Sequence, residues 1–227
     1  MQDFYHRYKK WVWLAAVVLA ILIVVIVLVC CQHKKPAQSD QTLAVVSELA
    51  LLSVDNTSGV YVEDGSDDAV DSVMTATFQN MSDQTLQLAD VTLTIRGDDY
   101  HFRLTTIPAH ATVCAQESER KNLCADSKSC KMTLEHAAWF QEKPSMHEEL
   151  FAVDVEDGVI AVTNRSGQSI NGEVCIYYKN LVDGVYIGGI TYRATIAGGL
   201  PSGASEQLYA PHFTRGSSEL MFVTYVP

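Results

Sequence analysis

The chain has 227 residues, of which 48% are hydrophobic, and a formal net charge of −11. A chain of this length forms one large domain or two small ones. Residues 36–227 hold 11 of the 16 basic residues and 26 of the 27 acidic residues, so this region carries a net charge of −15. Because phosphate groups repel such a region, we expect it to bind neither nucleic acid nor an anionic lipid surface.

Near the N-terminus, an uncharged apolar run of 21 residues extends from Trp11 to Cys31. As a helix rising about 1.5 Å per residue it spans roughly 31 Å, close to the hydrocarbon thickness of a bilayer. A cleaved signal peptide has a shorter apolar core and a small-residue cleavage site. A lipoprotein signal has a small residue before the lipidated cysteine, whereas Val29 precedes Cys30. The run therefore favours an uncleaved signal anchor that crosses the membrane once.

The charges on either side of this run predict its orientation. Three basic residues precede it and two follow it, a small bias that favours a cytoplasmic N-terminus. The acidic, cysteine-containing remainder favours the same orientation, with the C-terminal domains outside the cytoplasm. The predicted location is thus the cell membrane, and the membrane is a predicted partner through the N-terminal helix.

From residue 43 onward, short runs rich in Val, Ile, Thr and Tyr alternate with Gly, Asn, Asp, Ser and Pro. This mainly β pattern predicts antiparallel sandwiches, in which two sheets hide apolar side chains between them. Two brief segments, 117–123 and 134–142, look helical instead. The predicted strands are 43–54, 70–79, 86–96, 99–106, 110–116, 150–155, 158–164, 172–179, 184–196, 204–210 and 219–226.

An internal repeat is the most informative feature of the sequence. The motif N-x-S-x-Q occurs at residues 80–84 and again at 164–168, each time between two β-favouring runs. Further on, TTIPAHAT at 105–112 matches GGLPSGAS at 198–205. The two copies of this second motif are separated by nine residues more than the two N-x-S-x-Q motifs are, and this difference predicts a longer hairpin near 179–189. Asn and Ser are typical turn residues, so the repeat indicates two tandem copies of one β-unit.

The layout that follows has six parts. They are a cytoplasmic N-terminus (1–10), a transmembrane helix (11–31), a stalk (32–42), a first sandwich unit (43–116), a cysteine-containing linker with short helices (117–149) and a second sandwich unit (150–227). The paired glycines at 188–189 and 198–199 lie between predicted strands and are interpreted as hairpin turns.

The second half resembles the immunoglobulin-like modules of bacterial membrane-anchored proteins, including the FxLYD type. The residues that carry the resemblance are Asn164, Ser166, Gly167, Tyr177, Tyr178, Tyr192, Leu200, Pro201 and Gly203. The first half departs from the pattern, with Asp83 and His110 at the two glycine positions. Residues 176–179 (IYYK) stand where the aromatic-Leu-Tyr-Asp signature is expected. The resemblance implies an extracytoplasmic location and an immunoglobulin-like fold, and no particular activity.

Four cysteines lie beyond the apolar run, an even number that permits two disulfides in an exported domain. Cys114, Cys124 and Cys130 are close in sequence, so a bridge among these three is expected, and Cys175 reads as a buried thiol. The segment 114–149 also contains ligand types that suit zinc, namely Glu135, His136, His147, Glu148 and Glu149. Their spacing matches no compact zinc motif, so a disulfide loop with a solvated linker is favoured, and no metal or other cofactor is expected.

An acidic segment, Glu63–Asp71, precedes the second predicted strand. The order of its carboxylates does not match an EF-hand loop, although weak calcium binding outside the cell needs only several converging oxygens. A solvated acidic hairpin tip is the favoured interpretation.

Tyrosines concentrate in the second unit, at Tyr177, Tyr178, Tyr186 and Tyr192. On neighbouring strands they would present a flat contact surface for a peptide or a glycan. The favoured alternative is that they form cross-strand pairs that stabilise the sheet, because tyrosine is a good strand former.

No nucleophile elbow, phosphate-binding loop, dinucleotide fingerprint or zinc-protease motif occurs in the sequence, so an enzyme is not expected. The predicted function is a non-catalytic binding or structural ectodomain of the cell envelope, which contacts a protein partner through its sandwich units. The hairpin near 179–189 is the favoured contact region. One alternative is an accessory subunit of a larger membrane assembly, and another is an envelope enzyme or metal-dependent protein that uses 114–149.

Overall fold

The computed structural model describes residues 42–123 and 130–226, which belong to one compact unit. The predicted transmembrane segment, residues 11–31, lies outside these ranges. Among the residues that the structure describes, no helix is long and apolar enough to cross a membrane.

The regular structure of the described residues consists of β-strands, and each predicted strand overlaps an observed one. The mainly β prediction is therefore confirmed. The first predicted strand, 43–54, is divided by a turn at Ser47 and Glu48, which both have positive φ. The strands are β1 (Ala44–Val46), β2 (Leu49–Val60), β3 (Ala69–Asn80), β4 (Leu86–Ile95), β5 (Asp98–Ile107), β6 (Thr112–Gln116), β7 (Cys130–Trp139), β8 (Phe151–Glu156), β9 (Val159–Asn164), β10 (Val174–Val182), β11 (Val185–Ile196), β12 (Ser205–Tyr209) and β13 (Ser218–Tyr225).

The same strand order occurs in both halves of this unit. In the first half, β2, β3 and β6 form one layer and β5, β4 and β7 form the other. In the second half, β8, β9 and β12 form one layer and β11, β10 and β13 form the other. Each pair of layers encloses its own hydrophobic core, one around Phe78 and Phe102 and the other around Phe151 and Tyr178. The arrangement is sandwich-like in each half, in keeping with the sequence repeat.

The repeated N-x-S-x-Q motif forms the same hydrogen-bonded turn in both halves. The side-chain amide of Asn164 donates to the carbonyls of Gln168 and Leu200, at 2.8 Å each. Its side-chain oxygen accepts bonds from the N–H (2.9 Å) and the hydroxyl (2.7 Å) of Ser166. Asn80 makes the corresponding bonds in the first half, and both asparagines are buried. The prediction that this motif marks a turn is confirmed, and each copy ties a strand end to the turn before a later strand.

One seven-stranded sheet runs through both halves. Its order is β1-β2-β3-β6-β11-β10-β13, because β6 pairs in parallel with β11. This pairing places Tyr186 opposite Val113, and the tyrosine packs in the core of the first half. The two halves are therefore joined directly by strand pairing, and residues 130–139 of the predicted linker are strand β7 of the first half.

The helix predicted for residues 134–142 does not form. Leu, Glu and Ala in this segment favour a helix, but Cys130–Trp139 is strand β7, paired with β4 from Ile95 to Leu86. As a strand, the segment completes the outer layer and buries Met132 against the first core. Tertiary pairing therefore overrides local propensity here.

The helix predicted for residues 117–123 is also wrong. The buried carboxylate of Glu117 accepts hydrogen bonds from the backbone N–H groups of Glu119 and Lys121, at 2.8 Å each. Arg120 has φ of 61°, which does not occur in a right-handed helix. Side-chain bonds to the backbone thus hold the segment as a loop.

Candidate functional site

A polar cleft of about 570 Å³ lies on the face of the β5-β4-β7 sheet that points away from the core. Side chains alternate between the two faces of a strand. Val91 is therefore buried in the core, while its neighbours Asp90 and Thr92 line the cleft from β4. His101 and Arg103 line it from β5 in the same way. The cleft is thus built on a rigid sheet surface.

A β-bulge in β7 provides the third side of the cleft. The pairing of β4 with β7 shifts register between Asp90 and Val91, which lie opposite His136 and Leu134. Glu135 is the extra residue in this bulge, and it lines the cleft beside His136. Bulges re-aim a side chain in this way and are frequent next to functional sites.

Glu135, Thr92 and His101 form a hydrogen-bonded chain across the three strands. The Thr92 hydroxyl donates to the Glu135 carboxylate at 2.5 Å, and its oxygen lies 3.0 Å from Nδ1 of His101. Because an ionised carboxylate only accepts, the single Thr92 proton goes to Glu135, and the Thr92 oxygen accepts from the imidazole. In its neutral form, the His101 ring then carries its proton on Nδ1, and Nε2 is a hydrogen-bond acceptor.

A second row of side chains crosses the same strands. Asp90 lies opposite Arg103 on β5 and His136 on β7. Its carboxylate accepts from Nε of Arg103 at 2.8 Å and lies 3.4 Å from Nδ1 of His136. The hydrogen bond from Arg103 holds the pKa of the Asp90 carboxyl below its usual range. This pair places a carboxylate and a largely exposed guanidinium, hydrogen-bonded to each other, in the cleft.

Arg120 fastens the loop between β2 and β3 against the cleft. Its guanidinium bonds to Asp64 at 2.7 Å and to Asp68 at 3.0 Å, and it stacks 4.4 Å above the ring of Tyr61. Hydrogen bonds from Ser66, together with this pairing, lower the pKa of Asp64 to about 2. The acidic segment predicted as a solvated hairpin tip does join two paired strands, but a guanidinium holds two of its carboxylates.

Beside the cleft, the fully buried Lys179 lies where the two halves meet. Its ammonium nitrogen lies within hydrogen-bonding distance of four carbonyl oxygens, which share its three N–H donors: those of Thr105 (3.2 Å), Gly188 (3.1 Å), Gly189 (3.1 Å) and Ile190 (2.5 Å). Thr105 belongs to β5 of the first half and the other three to β11 of the second. Burial lowers the pKa of Lys179 to about 7. One ammonium group thus bonds to backbone from both halves.

Glu63 belongs both to the cleft wall and to this junction. Its carboxylate accepts hydrogen bonds from the backbone N–H groups of Gln116 (2.7 Å), Gly189 (2.8 Å) and Ile190 (3.3 Å). Burial raises the pKa of Glu63, and the three N–H groups and the charge of Lys179 oppose that shift. The Glu63 carboxylate therefore connects the first half to β11, and Lys179 makes a similar connection from the second half.

Gly188 and Gly189, predicted as a hairpin turn, lie within β11, and the turn is formed by residues 183–184 instead. A Cβ atom on Gly189 would overlap the carbonyl oxygen of Arg103, and one on Gly188 would approach Val62 at 2.9 Å. Glycine is therefore required for the close approach of the two halves. Lys179, Gly188 and Gly189, at the base of the hairpin predicted as a contact region, make this internal junction, whereas the tip at 182–184 is exposed, and its role in contacting a partner stays a prediction.

The predicted cysteine cluster is divided between sheets. Cys114 lies on β6 and Cys130 begins β7, and both have free thiols. Cys124 lies outside the described residues, so a bridge that involves it stays a prediction. Cys175 is a buried free thiol, as expected. Burial raises the pKa of the thiols of Cys114, Cys130 and Cys175, which keeps them protonated at neutral pH.

The other residues of the 114–149 segment are spread over the molecule. Glu135 and His136 enter the cleft, whereas His147 lies 3.2 Å from Glu149 in the segment after β7, and Glu148 is exposed. Across residues 42–123 and 130–226, no group of three or more His, Cys, Asp or Glu side chains is placed to hold a metal ion.

Three of the four tyrosines predicted as a contact surface are buried. Tyr178, Tyr186 and Tyr192 are 2%, 6% and 8% exposed, so they do not form a surface. Tyr178 lies opposite Tyr192 across β10 and β11, and the two rings stack at 5.4 Å. Tyr177 is partly exposed and stacks on Phe222 at 4.3 Å. The contact surface is therefore wrong for three of its residues, and the alternative of cross-strand pairing is confirmed for Tyr178 and Tyr192.

Sequence reasoning missed Lys179, Thr92 and His101. Lys179 carries a local signal, since it is a lone charge at the centre of the apolar strand VCIYYKNLV. Thr92 and His101 carry none, because their proximity depends on how β4 pairs with β5. No protein-family model, curated protein or solved structure matches the chain.

Proposed function

We propose that this chain is a membrane-anchored, extracytoplasmic binding protein of the cell envelope, without catalytic activity. Its N-terminal helix holds it in the membrane, and two immunoglobulin-like units carry the binding site outside the cytoplasm. The observation that carries this proposal is the polar cleft, whose side chains are fixed on three paired strands by hydrogen bonds and ion pairs.

The order of the strands supports the immunoglobulin-like assignment. The chain changes layer between β3 and β4, returns between β5 and β6, and changes again between β6 and β7. The same changes recur between β9 and β10, β11 and β12, and β12 and β13. Such alternation between two antiparallel layers is typical of immunoglobulin-like sandwiches.

The rigidity of the cleft favours binding over a purely structural role. Arg103 and Asp90 hold each other in place, and Arg120 fixes the loop that forms the wall. A ligand that enters such a site orders few side chains, so less binding free energy is lost. The volume of the cleft falls in the range of about 300–1,000 Å³ found for small-molecule sites.

Protease added to intact spheroplasts tests the location. We expect a tag placed after residue 227 to be removed from the outside, while a tag before residue 1 is protected until the membrane is lysed. A protected C-terminal tag would contradict the outward orientation. Release of the whole chain by alkaline carbonate would contradict anchoring.

Cross-linked capture of partners from intact cells tests the role of the cleft. We expect the double variant Asp90→Ala/Arg103→Ala to lose the material captured by the wild type, because it removes the fixed ion pair without changing the net charge. The matched control is Arg96→Ala/Asp98→Ala, which removes two exposed charges at the turn of the same hairpin. Equal capture by both double variants would show that the cleft is not the binding site.

Replacement of residues 11–31 by an unrelated polyleucine segment separates this proposal from the accessory-subunit alternative. Retained capture is the result we expect, because binding is assigned to the ectodomain. Loss of capture with normal membrane insertion would favour a subunit whose helix packs in a larger assembly.

A further inference from the structure

We infer that the cleft binds a small ligand through a primary ammonium group of that ligand. The inference rests on the proposed binding function and adds the chemical class that the site recognises. Three features of the cleft lead to it: its uncompensated negative charge, the hydrogen-bond acceptors that remain free, and its size.

The carboxylates of the cleft wall outnumber its guanidinium groups. Arg103 is paired with Asp90 at 2.8 Å, and Arg120 is paired with carboxylates of the wall loop. Glu135 differs, because within the described part of the chain its partner is the neutral hydroxyl of Thr92. Among residues 42–123 and 130–226, the cleft therefore holds negative charge that no basic side chain neutralises, and this charge attracts cations and repels anions.

The free hydrogen-bonding groups of the cleft match an ammonium donor. An ammonium group donates three hydrogen bonds and accepts none. Thr92 occupies one oxygen of the Glu135 carboxylate, and no donor from the described part of the chain occupies the second oxygen, which is open to a ligand. In the neutral form of the His101 ring, the bond between Thr92 and Nδ1 makes Nε2 an acceptor as well. The Glu135 carboxylate and Nε2 of His101 thus provide a charged and a neutral acceptor. Both belong to the hydrogen-bonded relay Glu135–Thr92–His101, which the sheet holds in place.

The β-bulge in β7 indicates that this placement is specific. In a regular strand, neighbouring side chains point to opposite faces, so Glu135 and His136 could not both line the cleft. The extra residue of the bulge allows both to do so.

The size and composition of the site separate an amine from other cations. A volume of about 570 Å³ accommodates a small molecule such as an amino sugar, a basic amino acid or a polyamine. A divalent metal ion needs several ligands at short range, and within the described ranges no group of three or more His, Cys, Asp or Glu side chains could hold one. The chemistry shared by the three amine sources is a primary ammonium group on a water-soluble ligand.

Calorimetric titration of the full chain in lipid nanodiscs tests the inference, with empty nanodiscs as the blank. The probes are glucosamine, L-lysine and spermidine, and N-acetylglucosamine is the neutral counterpart of the first. We expect at least one amine to bind, and the three arms then identify its source. If glucosamine is the ligand, we expect the affinity for the neutral sugar to be lower by about tenfold or more, since this sugar lacks the charge-assisted hydrogen bond.

Two variants connect this binding to the relay. Glu135→Gln keeps a partner for Thr92 but removes the charge, and we expect the affinity for the amine to fall about tenfold or more. Thr92→Val keeps the charge but frees the His101 tautomer, and we expect a smaller loss. The matched control is Glu156→Gln, an exposed carboxylate at the end of β8, which leaves the affinity unchanged.

Several outcomes would overturn the inference. The first is that none of the three amines gives a heat of binding. The second applies if glucosamine is the only amine that binds, and it is equal affinity for glucosamine and N-acetylglucosamine. The third is unchanged affinity in both Glu135→Gln and Thr92→Val. If these occur while capture from cells still depends on Asp90 and Arg103, the ligand class is wrong and the binding function stands. If capture is also independent of the cleft, the proposed function fails as well.

Discussion

Lys179 brings a positive charge into the interior at the point where two hydrophobic cores meet, and backbone carbonyls from both halves satisfy it. Glu63 approaches the same segment of β11 from the first half and accepts bonds from its N–H groups. Removal of one member of such a buried arrangement leaves the other charge and its hydrogen-bond partners without compensation. At the scale of residues, these two side chains therefore hold the junction.

We predict that at about pH 6, where Lys179 is charged, Lys179→Met lowers the free energy of unfolding by about 3–5 kcal/mol, because the surrounding carbonyls lose their donor and the buried Glu63 loses its neighbouring positive charge. Addition of Glu63→Gln should restore part of this loss, with a coupling energy of about 0.5–3 kcal/mol. Urea denaturation of the four proteins of this cycle measures both quantities. Lys131→Met, at an exposed position of β7, is the control and should change stability by less than about 0.5 kcal/mol. Additive losses in the cycle would show that the two charges do not interact.

The same lysine predicts a pH dependence of stability. Its pKa is 10.5 in the unfolded chain and about 7 in the folded protein, so folding releases a proton between these values. The free energy of unfolding contributed by Lys179 therefore rises with pH in this window, by up to about 1.4 kcal/mol per pH unit. We expect the difference in stability between the wild type and Lys179→Met to increase from about pH 7.5 to about pH 9. A constant or decreasing difference in urea denaturation would contradict this assignment.

At the scale of elements, the repeated turn and the strand β7 show two ways in which sequence relates to structure. The N-x-S-x-Q motif folds the same way twice because its hydrogen bonds are mostly local and come from its own side chains. Residues 134–139 become a strand against their helical propensity because β4 provides a pairing partner for each of them except Glu135. Local chemistry decides the first element, and pairing between distant segments decides the second.

We predict that Asn164→Ala lowers the free energy of unfolding by about 1–2 kcal/mol, since the buried Asn164 loses its hydrogen bonds to the carbonyls of Gln168 and Leu200 and to Ser166. Asn80→Ala should have a comparable effect in the first half, where the same bonds occur. Thermal denaturation measures both variants. Asn171→Ala, at an exposed position near the second motif, should stay within about 0.5 kcal/mol of the wild type. If Asn164→Ala leaves the free energy of unfolding unchanged, the turn does not depend on this side chain.

At the scale of the whole molecule, the parallel pairing of β6 with β11 converts two sandwich-like halves into one compact unit. The junction needs backbone from the two halves to approach very closely at Gly189, where a side chain has no space. The cleft lies next to this junction and shares Glu63 and Ile190 with it. The position of the cleft wall therefore depends on how the halves are joined.

We predict that Gly189→Ala lowers the free energy of unfolding by about 1–3 kcal/mol, because the added methyl group overlaps the Arg103 carbonyl and forces the halves apart. Gly198→Ala is the matched control, since a Cβ atom there meets no neighbour within 4 Å. Scanning calorimetry should show one transition for the wild type and the control, and a broadened or divided one for Gly189→Ala. Identical transitions in all three proteins would show that the junction tolerates the methyl group.

The sequence by itself determined the strands other than β7, the repeated turn and the tandem organisation, because these follow from side-chain alternation and from local hydrogen bonds of Asn80 and Asn164. It also singled out Glu135 and His136, although as ligand types that suit zinc and not as residues of the cleft. Only the tertiary structure placed Thr92 and His101 beside Glu135 and made β6 the partner of β11. These contacts join residues up to 73 positions apart, from Val113 to Tyr186 for example, and they depend on strand register. Register is decided by which apolar faces must be buried together, and no local pattern encodes that choice.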